Sequence, residues 1–152
     1  MPAQQSNTGM RTRLWTVLPG LLGGMAVTTC IAPFGEFFWA NVVDIWGPQA
    51  AILFVLLILR APSPVIGGAA LTMALYLGLF YLWFFTSGRG DVMAWFAYLF
   101  SLPGAPIGAC LALCFTRQAR PIVAVVLAAA WVTAGLVVNQ TIICSTLIYC
   151  LG

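Results

Sequence analysis

The chain of 152 residues contains no histidine and no lysine, and its only acids are Glu36, Asp44 and Asp91. Acid–base catalysis needs a positioned His, Glu, Asp, Lys or Cys, and the one pair of cysteines at helical spacing is too small a ligand set for a soft metal without histidine. The sequence also lacks a phosphate-binding glycine loop, a nucleophile motif and a CxxC pair. We therefore predict that the protein is not an enzyme, binds no metal and uses no cofactor.

Charge is scarce in this sequence and apolar residues are abundant. Charged residues make up 6% of the chain and hydrophobic residues 62%, with a mean hydropathy of +1.05. Soluble domains carry about 25% charged residues, so a soluble protein is excluded. The net charge of +3 comes from six arginines in a few short segments. That pattern orients a membrane protein and does not form a nucleic-acid patch, so we expect membrane lipid, and no nucleic acid, as a partner.

Apolar stretches of membrane-spanning length recur along the chain. A transmembrane helix needs about 20 mostly apolar residues. Four stretches meet this length, at about residues 14–33, 65–86, 92–116 and 121–140. The polar leader, residues 1–13, is predicted to stay in the cytoplasm. The expected fold is an all-α polytopic bundle of about five spans, formed by a single domain over residues 14–152.

The second span is ambiguous because its strictly apolar run, residues 50–59, would rise only about 15 Å. In one alternative the helix starts near Phe37 and carries Asn41 and Asp44 into the membrane. In the other, the preceding segment lies in the interface and a Gly-Pro kink starts a short span at about residues 47–60. The aromatic residues of the preceding segment favour the second alternative.

The two alternatives differ in the role they give Asn41 and Asp44. Within a long second span these residues lie three apart on one face, and they become candidate intramembrane polar residues. In the interface they are simply wetted by headgroup water. Aromatic side chains are predicted to mark the outer interface, among them Trp39, Trp46, Trp83 and Trp95.

Arginine placement predicts the orientation. With five crossings and a cytoplasmic N-terminus, one side holds five arginines and no acid: Arg11, Arg13, Arg60, Arg117 and Arg120. The other side holds Arg89 and all three acids. This is the positive-inside pattern. Without the second crossing, the arginines would be divided between the two sides of the membrane. We predict a multi-pass protein of a bacterial-type inner membrane, with the N-terminus inside and the C-terminus outside.

Small residues recur at helical spacing. Gly20 and Gly24 form one GxxxG pair and Gly104 and Gly108 another, with Ala124/Ala128 and Ala130/Ala134 as weaker equivalents in the fifth span. Such faces let helix backbones approach closely in lipid. They predict either packing within the chain or a partner face for another membrane protein.

The fourth span contains two prolines three residues apart. Pro103 and Pro106 each remove a backbone donor and crowd the carbonyl four residues earlier, so the helix should bend or break there. Broken helices also occur in transporters, where they line substrate paths. In the fifth span, Asn139 and Gln140 either mark the end of the helix or hydrogen-bond to a neighbouring helix.

Five cysteines complete the set of chemically distinctive residues. Cys110 and Cys114 are one helical turn apart, but two thiols without histidine are too few for a metal site. Cys144 and Cys150 would point to different sides of a continuous helix, so a bridge between them requires a non-helical segment.

Three functions are compatible with this sequence. The favoured one is a non-catalytic accessory subunit or partner of a larger membrane assembly, acting through small-residue helix faces or by self-association. The alternatives are a small oligomeric channel or transporter lined by the broken fourth helix, and a thiol-based redox or soft-metal handling protein.

Overall fold

The computed structural model describes residues 3–32, 34–86, 92–116 and 119–146, and their side chains except those of 3–14, 16 and 92–94. This part of the chain is helical and contains no strand. Its helices are α1 (Ala3–Ile31), α2 (Phe38–Ile58), α3 (Ser63–Thr86), α4 (Val92–Ser101), α5 (Gly104–Phe115) and α6 (Pro121–Thr146). The predicted all-α class is confirmed.

Most of these helices have membrane-spanning length. Among the described residues, four segments are long and apolar enough to cross a membrane: α2, α3, the combined α4–α5 segment Trp95–Phe115, and α6. The predicted first span corresponds to the end of α1, where the apolar stretch Val17–Ile31 is shorter. The helix already begins at Ala3, so the predicted leader continues directly into this stretch.

The second span is one continuous helix, α2, which contains Pro48. The helix therefore has the extent of the longer alternative, because it begins at Phe38 and carries Asn41 and Asp44 in the same helix as the apolar run. The cause is packing on both sides of the proline. The buried residues of α2 follow each other at intervals of three or four through this point: Val42, Ile45, Gln49, Leu53 and Leu56. This continuous buried stripe offsets the roughly 3 kcal/mol that an interior proline costs.

Helix α3 is the centre of the bundle and contacts α1, α2, α5 and α6. Residues 65–70 near its start are all buried, including the small residues at 67–70. The small side chains admit the neighbouring backbones, as at Gly68, where an added Cβ would lie 2.9 Å from Ala128 Cβ. A helix that is apolar on every side is typical of a bundle core. Its contacts with four other helices follow from that central position.

The glycine face of α1 is used against the chain's own helices. A Cβ added at Gly20 would lie 2.6 Å from the Cβ of Ala70 in α3. One added at Gly24 would lie 3.1 Å from Nε1 of Trp46 in α2. Both distances are too short for an unshifted side chain. Of the two predicted uses of this face, packing within the chain is the one found.

The second glycine pair brings α5 and α6 into backbone contact. A Cβ at Gly104 would overlap the carbonyl of Gly135, and a Cβ at Gly108 would overlap the carbonyl of Trp131. Gly135 meets Gly104 reciprocally. These glycines therefore form a close helix crossing inside the protein and are not free to receive a partner.

Arg60 ends α2 in a left-handed conformation, with φ of 54°. Its N–H donates to the Leu57 carbonyl at 3.0 Å, and the Ala61 N–H donates to the Leu56 carbonyl at 3.0 Å. This is the Schellman arrangement, whose left-handed position usually holds glycine. An arginine in this position is strained, because its Cβ crowds the backbone in the left-handed conformation.

Replacing Arg60 with glycine should stabilise the fold by roughly 1 kcal/mol, because the left-handed conformation then carries no Cβ penalty. Thermal unfolding of the purified protein in detergent would measure the change. Arg60→Ala is the matched control, since it removes the same charge and keeps the Cβ. Equal stability of the two variants would contradict the assignment of strain to this residue.

Candidate functional site

The break in the fourth span lies at Pro103, between α4 and α5, as predicted. The missing N–H groups of Pro103 and Pro106 leave the carbonyls of Leu99 and Leu102 without their usual helical donors. Leu102 N instead donates to Leu99 O at 3.2 Å, and Ala105 N donates to Leu102 O at 2.9 Å. Tighter turns thus satisfy the two carbonyls that the prolines free.

A side chain from α6 pairs with the remaining carbonyls of the break. Asn139 Nδ2 donates to the Phe100 carbonyl at 2.6 Å and to the Ser101 carbonyl at 3.0 Å. The last carbonyls of a helix have no partner within it, so Asn139 acts as a cap supplied by another helix. Because α6 continues to Thr146, Asn139 does not mark the end of the fifth span.

Polar side chains from four helices meet beside this break. We call this group the polar cluster; it consists of Gln49, Tyr76, Tyr98, Ser101, Asn139 and Gln140. Gln49 of α2 is buried, and its Nε2 donates to the Tyr98 hydroxyl at 2.6 Å and to the Met73 carbonyl at 3.2 Å. One amide therefore connects α2 with both α3 and α4.

Ser101 and Tyr76 extend the polar cluster toward α6. The Ser101 hydroxyl donates to the Tyr98 carbonyl at 2.6 Å, and its oxygen lies 2.8 Å from the Tyr76 hydroxyl. The Tyr76 hydroxyl can also donate to Gln140 Oε1, at 3.3 Å. Since each hydroxyl has one proton, the shorter distances favour Tyr76 donating to Ser101. Among the described residues, no buried side-chain nitrogen or oxygen lacks a partner.

Aromatic rings surround the polar cluster on the side of α3 and α4. The rings of Tyr76 and Tyr98 stack with centroids 5.6 Å apart, and Phe80 lies 4.9 Å from Tyr98. Trp95 meets Phe80 edge-on at 5.2 Å. Such contacts add about 0.5–1.5 kcal/mol per pair beyond their burial. The polar cluster is neutral, and three of its members, Gln49, Tyr98 and Ser101, are buried. Its hydrogen bonds fix helices to each other.

Asn41 and Asp44 lie on α2 next to this region but outside the polar cluster. They line a cavity of about 310 Å³ together with Ile45, Trp95, Tyr98 and Leu99. Neither side chain has a hydrogen bond or ion pair with any residue in the described ranges. Asn41 and Asp44 thus lie in one helix, as in the long version of the second span. They line the same cavity as the aromatic residues of α4.

The tryptophans predicted for the outer interface differ in their surroundings. Trp39 and Trp83 are exposed on the bundle surface, as an interfacial residue would be. Trp46 is half-buried against Gly24, and Trp95 is half-buried in the aromatic contacts described above. Two of the four therefore have packing roles inside the protein.

The cysteines form no common site in the described part of the chain. Cys110 and Cys114 are exposed free thiols, as is Cys30. Cys114 Sγ lies 3.8 Å from the Cys110 carbonyl oxygen. Cys144 is disulfide-bonded, although α6 stays helical through Thr146; Cys150 lies outside the described residues. No group of three potential metal ligands occurs among the described residues.

Sequence reasoning missed Gln49, Tyr76 and Tyr98 as members of a site. The sequence predicts Tyr98 as an outer-interface aromatic residue, whereas its side chain is fully buried. Tyr76 carries no distinguishing signal in its apolar span. Gln49 offered a signal, because an uncharged amide at the start of an apolar run needs a partner in lipid. Its partner in α4 lies 49 residues away along the chain, and spacing alone does not identify it.

Comparison of the chain with protein-family models, with curated proteins and with solved structures finds no match.

Proposed function

We propose that this protein is a non-catalytic, multi-pass inner-membrane protein that serves as an accessory subunit of a larger membrane assembly. The polar cluster supports this role, because its hydrogen bonds join α2, α3, α4 and α6 of the same chain. The free carbonyls at the helix break are also hydrogen-bonded within the chain, to Asn139. Apart from the cavity at Asn41 and Asp44, the helix surfaces of the described residues that face outward are mostly apolar.

One such face, on α6, carries the proposal. The inward side of α6 holds Ala124, Ala128, Val132 and Leu136, which are buried. Ala130 and Ala134, four residues apart, are exposed on another side. In lipid, small residues at this spacing allow a second helix to approach closely. Unlike the glycine pairs, which pack within the chain, this small-residue face is open.

Ala134 also borders a groove between α5 and α6. The groove has a volume of about 220 Å³, and Ile107, Leu111 and Val138 line it along with Ala134. A side chain from a partner helix that crosses at Ala130 and Ala134 would reach this groove. Apolar pockets beside small residues favour dispersion contacts, which drive helix association where lipid offers no hydrophobic gain.

Purification of the tagged chain in a mild detergent tests this role. We expect the wild-type chain to recover a second polypeptide in fixed stoichiometry. The double variant Ala130→Leu, Ala134→Leu should lose it, because leucines prevent the close approach. Ala51→Leu, an equivalent change at an exposed alanine of α2, should retain it. Recovery of a self-oligomer alone would contradict the accessory role.

A small channel or transporter is the second candidate, and the cavity at Asp44 is the observation that favours it. A carboxylate on a membrane-spanning helix often marks an ion or solute path. Reconstitution of the purified chain in liposomes would test it: solute flux that is lost in Asp44→Asn would favour transport. A chain with the three free cysteines Cys30, Cys110 and Cys114 replaced by alanine should keep its function if free-thiol chemistry has no part in it.

A further inference from the structure

The cavity between α2 and α4 has the size of a small-molecule site. Its volume of about 310 Å³ is at the low end of ligand pockets, which run from about 300 to 1,000 Å³. Its walls come from about one turn of α2 and the middle of α4. Asp44 lies six residues after the start of α2, which places it about 9 Å along the helix axis.

Asp44 brings a carboxylate to this cavity without a countercharge from the described residues. The side chain is exposed and has no ion pair or hydrogen bond there. Arg60 is separated from it by most of α2, about 24 Å along the helix. An unpaired charge on an apolar membrane helix is costly, and such groups normally pair with an opposite charge.

The other residues of the cavity narrow down the kind of cation. Asn41, one turn before Asp44, contributes an amide oxygen that can accept a hydrogen bond. Trp95, which is half-buried, contributes an aromatic ring, and such rings attract organic cations through their negative faces. Tyr98 is fully buried and closes the cavity from inside the bundle. A metal ion would need more oxygen ligands than one carboxylate and one amide. The combination of carboxylate, amide and aromatic ring is suited to an ammonium group.

We propose that the cavity formed by Asn41, Asp44, Trp95 and Tyr98 binds a small organic ammonium cation. Asp44 supplies the countercharge, Asn41 accepts a hydrogen bond where the ammonium carries one, and Trp95 provides the aromatic wall. The ammonium comes either from a soluble amine or from the headgroup of an amine-bearing lipid. This site does not depend on the proposed accessory role, because the purified chain alone contains all of its residues.

Titration of the full chain in detergent with tetramethylammonium chloride tests the site. Calorimetry and tryptophan fluorescence should both report saturable binding in the millimolar range, and sodium chloride at the same ionic strength should give none. Asp44→Asn should weaken binding tenfold or more, since it keeps the side-chain shape and removes the charge. Trp95→Leu should weaken it several-fold.

Glu36→Gln is the matched control, because Glu36 is an exposed acid outside the cavity. It should bind tetramethylammonium with the wild-type affinity. Thermal unfolding of Asp44→Asn should match that of the wild type, so that a loss of binding reports on the site. Absence of saturable binding to the wild type, or equal affinity of Asp44→Asn and wild type, would overturn the proposal.

Lipid nanodiscs distinguish the two sources of ammonium. In discs of phosphatidylglycerol the site should be open to tetramethylammonium. If a lipid headgroup is the natural occupant, discs of phosphatidylethanolamine should weaken tetramethylammonium binding by competition, and Asp44→Asn should abolish the difference. Equal affinity in both discs assigns the site to a soluble amine. Either result supports an ammonium site, and saturable binding in neither disc overturns it.

Discussion

Replacing Gly108 with alanine should destabilise the protein by roughly 3 kcal/mol, near the upper end of the usual cost of overpacking. The added Cβ would overlap the Trp131 carbonyl oxygen and lie 2.8 Å from Val132 Cα. Both neighbours are backbone atoms of α6, so no side chain can rotate away. The two helices must separate, and the contacts along their whole crossing are weakened. Unfolding of the purified protein by a denaturing detergent would measure the loss.

Gly23 provides a matched control for this result. An added Cβ at Gly23 meets nothing within 4 Å. This residue lies inside α1, where alanine is favoured over glycine by about 1 kcal/mol. Gly23→Ala should therefore be as stable as the wild type or slightly more stable. If Gly108→Ala behaved like this control, α5 and α6 would not cross as closely as described.

Replacing Gln49 with leucine should destabilise the protein by about 2 kcal/mol, because the buried Tyr98 hydroxyl loses its partner. The Met73 carbonyl, which lies inside α3 and keeps its helical donor, loses only a second hydrogen bond. Hydrogen bonds between membrane helices contribute about 0.6 kcal/mol on average, so most of the effect comes from the hydroxyl left without a partner. The same unfolding measurement applies.

A double variant separates the hydrogen bond from simple packing. In Gln49→Leu with Tyr98→Phe, the hydroxyl that lacked a donor is gone, and we expect about half of the lost stability to return. Thr141→Val is the control, since this exposed hydroxyl bonds only to the Val137 carbonyl of its own helix. It should change stability by less than about 0.5 kcal/mol. A double variant no more stable than Gln49→Leu alone would contradict the pairing of Gln49 with Tyr98.

The exposed alanines of α6 and the cavity at Asp44 lie on different parts of the molecule. A partner helix at Ala130 and Ala134 would cover α6, whereas the cavity belongs to α2 and α4. An accessory subunit could therefore bind its partner and an ammonium ligand at the same time. The variants proposed for each surface leave the other unchanged, so the two functions can be separated experimentally.

The candidate site was predictable only where a single helix determined it. Asn41 and Asp44 share a face because they are three residues apart in one helix, and the break at Pro103 follows from missing backbone donors. The continuity of α2 through Pro48 was not predictable in this way. It depends on a buried stripe that packs against neighbouring helices and holds residues on both sides of the proline in one helix.

The sequence by itself determined that this is an all-helical protein of membrane-spanning segments, because apolar run length and proline position act locally along the chain. Only the tertiary structure decided that Gln49 pairs with Tyr98, that Asn139 caps the broken helix, and that the glycine pairs pack within the chain. The physical reason is that lipid solvates every apolar helix face almost equally. Which helices become neighbours therefore depends on close packing and a few interhelical hydrogen bonds, and these form only in three dimensions.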